Sequence, residues 1–300
     1  MSRTPRPPVV VGVDGSKCDE LAIQWAVQEA SMRHLPLRVL HVIDPPVMAR
    51  PLDLELADRI LKFCAEHAEQ IVDRATARAR TLAPDVQVTP AVITGQIVPA
   101  MLAESDAARL VVLGSGQRFD ASRVRLGSVA AHVSAHARCP VIVARAAEQG
   151  EPVAGAGRGR VVVGVDGSAV SEAAVGFAFE EATWRELGLT VLHAWQEAQL
   201  PWTFDIPAPS ARQKEAERVP AEALAGWSEK YPDVRVMSKV VRDHPAHALI
   251  EEAAGAVLLV VGSHGRGRFA EMVLGSVSQV LLRHASTSIA IVRNHEARSR

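Results

Sequence analysis

The sequence predicts an α/β protein made of two tandem copies of one domain, each a parallel sheet with helices on both faces. Three observations carry this reading. The segment Val9 to Ser16, VVVGVDGS, returns letter for letter as Val161 to Ser168, 152 positions on. Short, wholly apolar runs alternate with longer stretches of helical period, which is the order of βαβ units. The apolar runs lack polar alternation, so both faces of each strand must be covered, as in parallel sheets.

The repeat extends beyond its opening. Leu40-His41 recurs as Leu192-His193 at the same spacing, and LGSV at 126–129 recurs at 274–277, 148 positions on. A near-constant offset with one small deletion describes a duplicated domain; solenoid repeats are only about 20–50 residues long. The boundaries expected are 1–146 for the first domain, 147–159 for a linker rich in Gly, Ala and Pro, and 160–300 for the second.

Within the first copy, 9–13 is an apolar strand ended by Asp-Gly-Ser. A helix follows over about 18–34, where Leu21, Ile23, Trp25, Ala26 and Ala30 fall at roughly helical spacing. The second strand is 37–43, a long helix covers 54–82, and the third strand is 86–93. A short helix at 99–104, a strand at 110–113, a helix at 124–137 and a strand at 140–143 complete the copy. The second copy follows the same course to a last strand at 289–292.

Composition narrows the function. Thirty-three basic residues stand against 34 acidic ones, so the net charge of −1 argues against a basic nucleic-acid surface. Cys18, Cys64 and Cys139 stand far apart with no CxxC spacing, which points to a reducing compartment rather than to disulfides or zinc. No apolar run approaches the roughly 18–20 residues that span a bilayer, and the first residues carry no apolar signal core. The expectation is a soluble cytoplasmic protein with no membrane and no nucleic-acid partner.

In such sheets ligands sit outside the carboxyl ends of the strands, near the point where strand order reverses. Asp14 and Asp166 follow the first strand of each copy. After the fourth strand of the second copy comes Gly262-Ser263-His264-Gly265-Arg266-Gly267-Arg268, and Gly275-Ser276 opens the next helix. Glycines let the backbone approach an anion, and free helix amides favour phosphate.

Gly262-x2-Gly265-x9-Gly275-Ser276, with the opening VGVDGS and the Leu-His second strand, resembles the universal stress protein family over nearly the whole chain. The resemblance implies two Rossmann-like, ATP-binding domains, each an open five-stranded parallel sheet of order 3-2-1-4-5. It implies that adenine and ribose lie near Val165, Asp166 and the Ala194 backbone, with Val261 bordering the base. Gly262, Gly265, Gly275, Ser276 and Val277 would carry the phosphates, and His264 and Arg266 are added as phosphate contacts. In the first copy the matching positions are Val13, Asp14, Val42, Leu113, Gly114, Gly127, Ser128 and Val129. There Gln117 replaces the second motif glycine, so the second domain is expected to bind ATP more tightly. A left-handed backbone at this position would make the glutamine strained.

The resemblance also implies pairing of the two copies through their fifth strands, 141–145 and 289–293, and a homodimer of whole chains is expected. The protein is read as a regulatory, stress-response module that holds ATP, with Mg²⁺ carried on the phosphates. No P-loop lysine, GxSxG or HExxH occurs, so hydrolysis is expected to be slow or absent, with no catalytic residue and no protein-bound metal. An ATP-hydrolysing or adenylyl-transfer enzyme on the same sheet and a cyclic-nucleotide binder are the alternatives, and a ligand-free first half is a third.

Several other features receive plainer readings. Gly265-x-Gly267-x-x-Ala270 matches a dinucleotide fingerprint but follows the wrong strand and lacks the acidic residue about 20 positions on. His41 and His193 are read as hydrogen-bonded strand ends, and His244 with His247 as a surface pair rather than metal ligands. The tryptophans of the second copy are read as packing, although Trp202 and Phe204 lie in a Pro-rich segment, 200–209, suited to a lid.

Overall fold

The computed structural model describes residues 6–44, 54–116, 118–120, 123–124, 126–146, 159–196, 209–265 and 274–293. The chain divides into two compact units, Met1–Arg145 and Ala146–Arg300.

In the first unit, β1 (Val9–Gly12), β2 (Leu37–Ile43), β3 (Val88–Thr94), β4 (Leu110–Gly114) and β7 (Val141–Ala144) form a parallel sheet. Their order is β3-β2-β1-β4-β7. Val9 aligns with Leu37 on one side and Leu110 on the other, and Val9, Val10 and Val11 have no exposed surface. The run lacked polar alternation because neither face meets water. At the edge, β3 is half exposed and tolerates Pro90, whose missing N–H an inner strand would need.

Helix α1 (Asp19–Met32) and α2 (Leu54–Leu82) cover one part of the sheet. Ala68, Ile71, Val72, Ala75 and Ala79 of α2 are buried at alternating steps of three and one or four, a single helical stripe. Helix α3 (Ile97–Ser105) and α4 (Ser128–His136) complete the layer set. A short antiparallel pair, β5 (Arg118–Asp120) and β6 (Arg123–Val124), precedes α4. The expected helix from 124 therefore starts four residues late. Gly127 is extended at its N-cap (φ −62°, ψ 145°), and Val124 before it belongs to β6.

The second unit repeats the plan. Its strands β8 (Arg160–Gly164), β9 (Gly188–Trp195), β10 (Val236–Arg242), β11 (Leu258–Gly262) and β12 (Ser288–Val292) run parallel in the order β10-β9-β8-β11-β12. The helices are α5 (Ala169–Trp184), α6 (Pro209–Ala223), the short α7 (Trp227–Lys230), α8 (Pro245–Glu252) and α9 (Ser276–His284). Trp227 stacks on Phe179 at 5.5 Å and on Tyr231 at 5.9 Å, and its ring fills the space that a Cβ at Gly176 would take. Packing is thus the role of this tryptophan; Trp202 and Phe204 lie outside the described residues.

Both first helices end alike. Leu35 N donates to Ala30 O and His34 N to Ser31 O, while Leu187 N donates to Ala182 O and Glu186 N to Thr183 O. This is the Schellman arrangement, normally closed by glycine. Here His34 (φ 53°) and Glu186 (φ 55°) hold the left-handed position. One turn earlier a fully buried glutamate is paired with an arginine: Glu29 with Arg33, and Glu181 with Arg185 at 3.0 Å. Among the described residues no helix is long and apolar enough to cross a membrane.

Removing one member of a buried ion pair leaves an uncompensated charge, whereas removing both does not. Arg185→Met should therefore destabilise the second unit by about 3–5 kcal/mol in urea unfolding, and Glu181→Leu combined with it should recover most of that loss. Equal destabilisation in the single and double variants would refute the assignment.

Candidate functional site

Each unit has a cavity at the carboxyl ends of its central strands, where the order turns from β1 to β4 or from β8 to β11. The second is about 390 Å³. Val165 and Asp166 from the end of β8, Ala194 from β9 and Val261 and Gly262 from β11 line it. His264 and Gly265 of the following loop and Gly275, Ser276 and Val277 at the start of α9 complete the wall. Every site residue named from the second copy is thus brought to one place except Arg266, which lies outside the described residues, as do Arg268 and the 200–208 segment.

The backbone explains the glycines. A Cβ at Gly265 would collide with Asp166 Oδ2, and one at Gly275 would lie 3.1 Å from the Cα of His264. Gly265 does not take a left-handed φ; close approach of the Asp166 carboxylate is what demands glycine there. At Gly265 the requirement is therefore room beside Asp166 rather than a left-handed backbone. Gln117 itself lies outside the described residues.

The loop returns tightly. Gly275 N donates to Ser263 O at 2.7 Å and Ser263 N to Val292 O at 2.8 Å. Ser278 Oγ donates to Gly262 O at 2.7 Å, tying the first turn of α9 to the end of β11. Gly275 caps α9 without a side-chain bond, so the first-turn amides of the helix, which have no intrahelical acceptors, face the cavity wall. His264 Nδ1 and Ser263 Oγ share a hydrogen bond of 3.0 Å. Behind the cavity, Pro245 and Leu249 of α8 form a floor that strand-end motifs did not reveal. A Cβ on Gly164 would lie 2.9 Å from Leu249, the close approach that seats this floor.

The strand-end histidines are structural. His193 Nδ1 lies 2.8 Å from Val165 O, and His41 Nδ1 lies 2.7 Å from Val13 O. A carbonyl only accepts, so Nδ1 carries the proton in both rings. His244 and His247 separate in role: His244 Nδ1 accepts from Ala246 N and caps α8, whereas His247 Nδ1 pairs with Asp243 at 2.6 Å. The hydrogen bond from His247 is the chief cause of the lowered Asp243 pKa, and the same bond is the chief cause of the raised His247 pKa.

The first cavity is smaller, about 300 Å³, and collects Val13, Asp14, Val42, Leu113, Gly114, Gly127, Ser128 and Val129. It also contains residues that the sequence did not single out, notably Cys18, Asp19, Ile97 and Met101. Cys18 Sγ donates to Gly116 O at 3.0 Å, and burial, then Asp14, pushes its thiol pKa up. The Asp19 carboxylate accepts from Asp14 N at 3.2 Å and Gly15 N at 2.7 Å. Burial, aided by the charge of Asp14, raises the Asp19 pKa to about 6 despite these donors. In the second copy the matching residue is Ser171, whose N–H donates to Ser168 Oγ. Neutral Ala130 stands where Ser278 ties the second loop.

A carboxyl group titrating near 6 when folded and near 3.8 in its reference state binds its proton more tightly in the folded protein. Stability then falls as pH rises from about 4 to about 6 and is level above. Asp19→Asn should be more stable than wild type at pH 7 by about 1–2 kcal/mol, after allowance for solvent screening, and equal to it at pH 4. Thermal unfolding at the two pH values decides this; an equal difference at both would contradict it.

Comparison with known proteins matches residues 6–145 and 157–293 to the family described as the universal stress protein family. A universal stress protein of Mycobacterium tuberculosis (strain ATCC 25618 / H37Rv) is 39% identical over 290 residues, covering 95% of this chain and 96% of the relative. A second from the same strain is 36% identical over 293 residues with the same coverage. Among solved structures, a universal stress protein from Archaeoglobus fulgidus DSM 4304 shares the fold at TM-score 0.67 and 16% identity, over 97% of this chain and 98% of that one. The chain belongs to the universal stress protein family, as two copies of the family's domain in tandem.

Proposed function

We propose that the second cavity binds ATP and that the protein works as a nucleotide-dependent regulatory module. The observation that carries this reading is the meeting of a glycine cradle with an uncapped helix start in one cavity. Gly262, Gly265 and Gly275 leave room for close backbone approach, and the first-turn amides of α9 supply donors and a positive dipole end. The cavity volume lies within the roughly 300–1,000 Å³ usual for small-molecule sites.

Apolar Val165, Leu192, Val261 and Leu249 suit a flat base, with the Ala194 backbone at its rim. Ser276 adds a hydroxyl at the phosphate end, beside the amides of Ser276 and Val277. His264 lines the same wall, and Mg²⁺ would travel on the phosphates rather than on a protein site. Among the described residues lining the cavity, Asp166 alone offers a carboxylate, and its Oδ1 already accepts from Ser168 N and Oγ. In this reading ATP is held rather than turned over.

A hydrogen bond to a charged group contributes about 1.5–3 kcal/mol, a factor of roughly ten to a hundred in affinity. Gly265→Val removes the cradle and should weaken ATP binding by more than tenfold in calorimetric titration, with the circular dichroism of the wild type retained. Wild-type protein should show copurified or added ATP bound and fewer than a few turnovers of hydrolysis in an hour. A wild type that ignores millimolar ATP, or a variant that binds it equally, would overturn the reading.

A further inference from the structure

We propose that the first cavity is a second ligand site of different selectivity, one that takes a nucleoside or a weakly charged nucleotide and rejects a triphosphate, with Asp19 as the selecting residue. This rests on the nucleotide reading of the second cavity. The two cavities share their apolar part almost residue for residue: Val13 answers Val165, Leu113 answers Val261, and Met101 answers Leu249. A base and sugar that fit one fit the other.

The polar part of the wall differs. In the second copy the turn after the first strand is closed by the neutral Ser168 hydroxyl, which caps α5 through Ser171 N. In the first copy the protein brings its own anion. Asp19 lies across the turn and occupies the amides of Asp14 and Gly15 at 3.2 and 2.7 Å. Those two donors are engaged by the carboxylate.

The position of this carboxylate is held from the other side as well. Cys18, its neighbour, donates its thiol proton to the carbonyl of Gly116 and packs under Gly114, where an added Cβ would lie 2.8 Å from that of Cys18. The first turn of α1 is thereby fastened to the glycine loop, so Asp14 and Asp19 line the same cavity as Gly114, Gly127 and Ser128. Lys17, in the same turn, is exposed. Arginines follow the glycine loop in both copies and so do not distinguish them. A second carboxylate in the cavity wall, where the second copy has Ser171, repels each phosphate charge and so weakens triphosphate binding more than nucleoside binding.

Equilibrium dialysis of the full chain with ATP and with adenosine separates the outcomes. Wild type should bind one equivalent of ATP tightly and two of adenosine. Gly265→Val, which blocks the second cavity, should retain one equivalent of adenosine and bind ATP at least tenfold more weakly than it binds adenosine. Adding Asp19→Ser, the residue type of the second copy, should raise the ATP-to-adenosine affinity ratio at least tenfold. Asp19→Asn, which keeps an acceptor for the turn amides, should raise it in the same direction should the serine variant fail to fold. Two equal ATP sites in wild type, loss of all adenosine binding in Gly265→Val, or an unchanged ratio in both Asp19 variants would overturn the proposal. A wild type that binds neither ligand would instead overturn the nucleotide reading on which it rests.

Discussion

Everything functional in this protein hangs on the reversal of strand order beside the central strand of each sheet. The chain leaves β1 toward β2 on one side, whereas β4 lies against the other. The two loops that leave these strands diverge, and a crevice opens between them at the carboxyl ends. The central strand must be buried on both faces for this geometry to exist, which is why three consecutive valines with no exposed surface begin each copy. The strand-end histidines fasten each second strand to the first, each ring donating to the carbonyl of the residue just past the central strand.

Given that frame, small substitutions set the character of each crevice. Backbone amides favour an anion only while nothing else has claimed them. Glycine at 265 lets a carboxylate tuck against the loop and leaves the helix start open, whereas an aspartate at 19 supplies an internal anion to the turn. Neither change alters the sheet. The buried valines, the paired Glu29 and Glu181, and the helix endings are common to both copies.

Much of this could be read from the chain alone, and the reasons are physical. Duplication, strand order of apolar and amphipathic segments, and the glycine spacing are periodic signals, and the named site residues of both copies that fall among the described residues line the two crevices. What escaped was set by tertiary contact. His34 and Glu186 in left-handed backbone carry no glycine to announce a helix end. Asp19 reads as an ordinary first-turn acid until its amide partners are seen. The need for glycine at 265 comes from a residue almost a hundred positions earlier, and the late start of α4 reflects an extended Gly127 rather than any break in apolar content.

Carrying both copies on one polypeptide has a genetic consequence. A pair assembled from identical one-domain chains receives every mutation twice, so its two crevices stay alike. Here Asp19 and Ser171, or Gln117 and Gly265, are separate codons. One crevice can drift toward a new ligand while its twin preserves the old one, and the cell always receives the two in equal number.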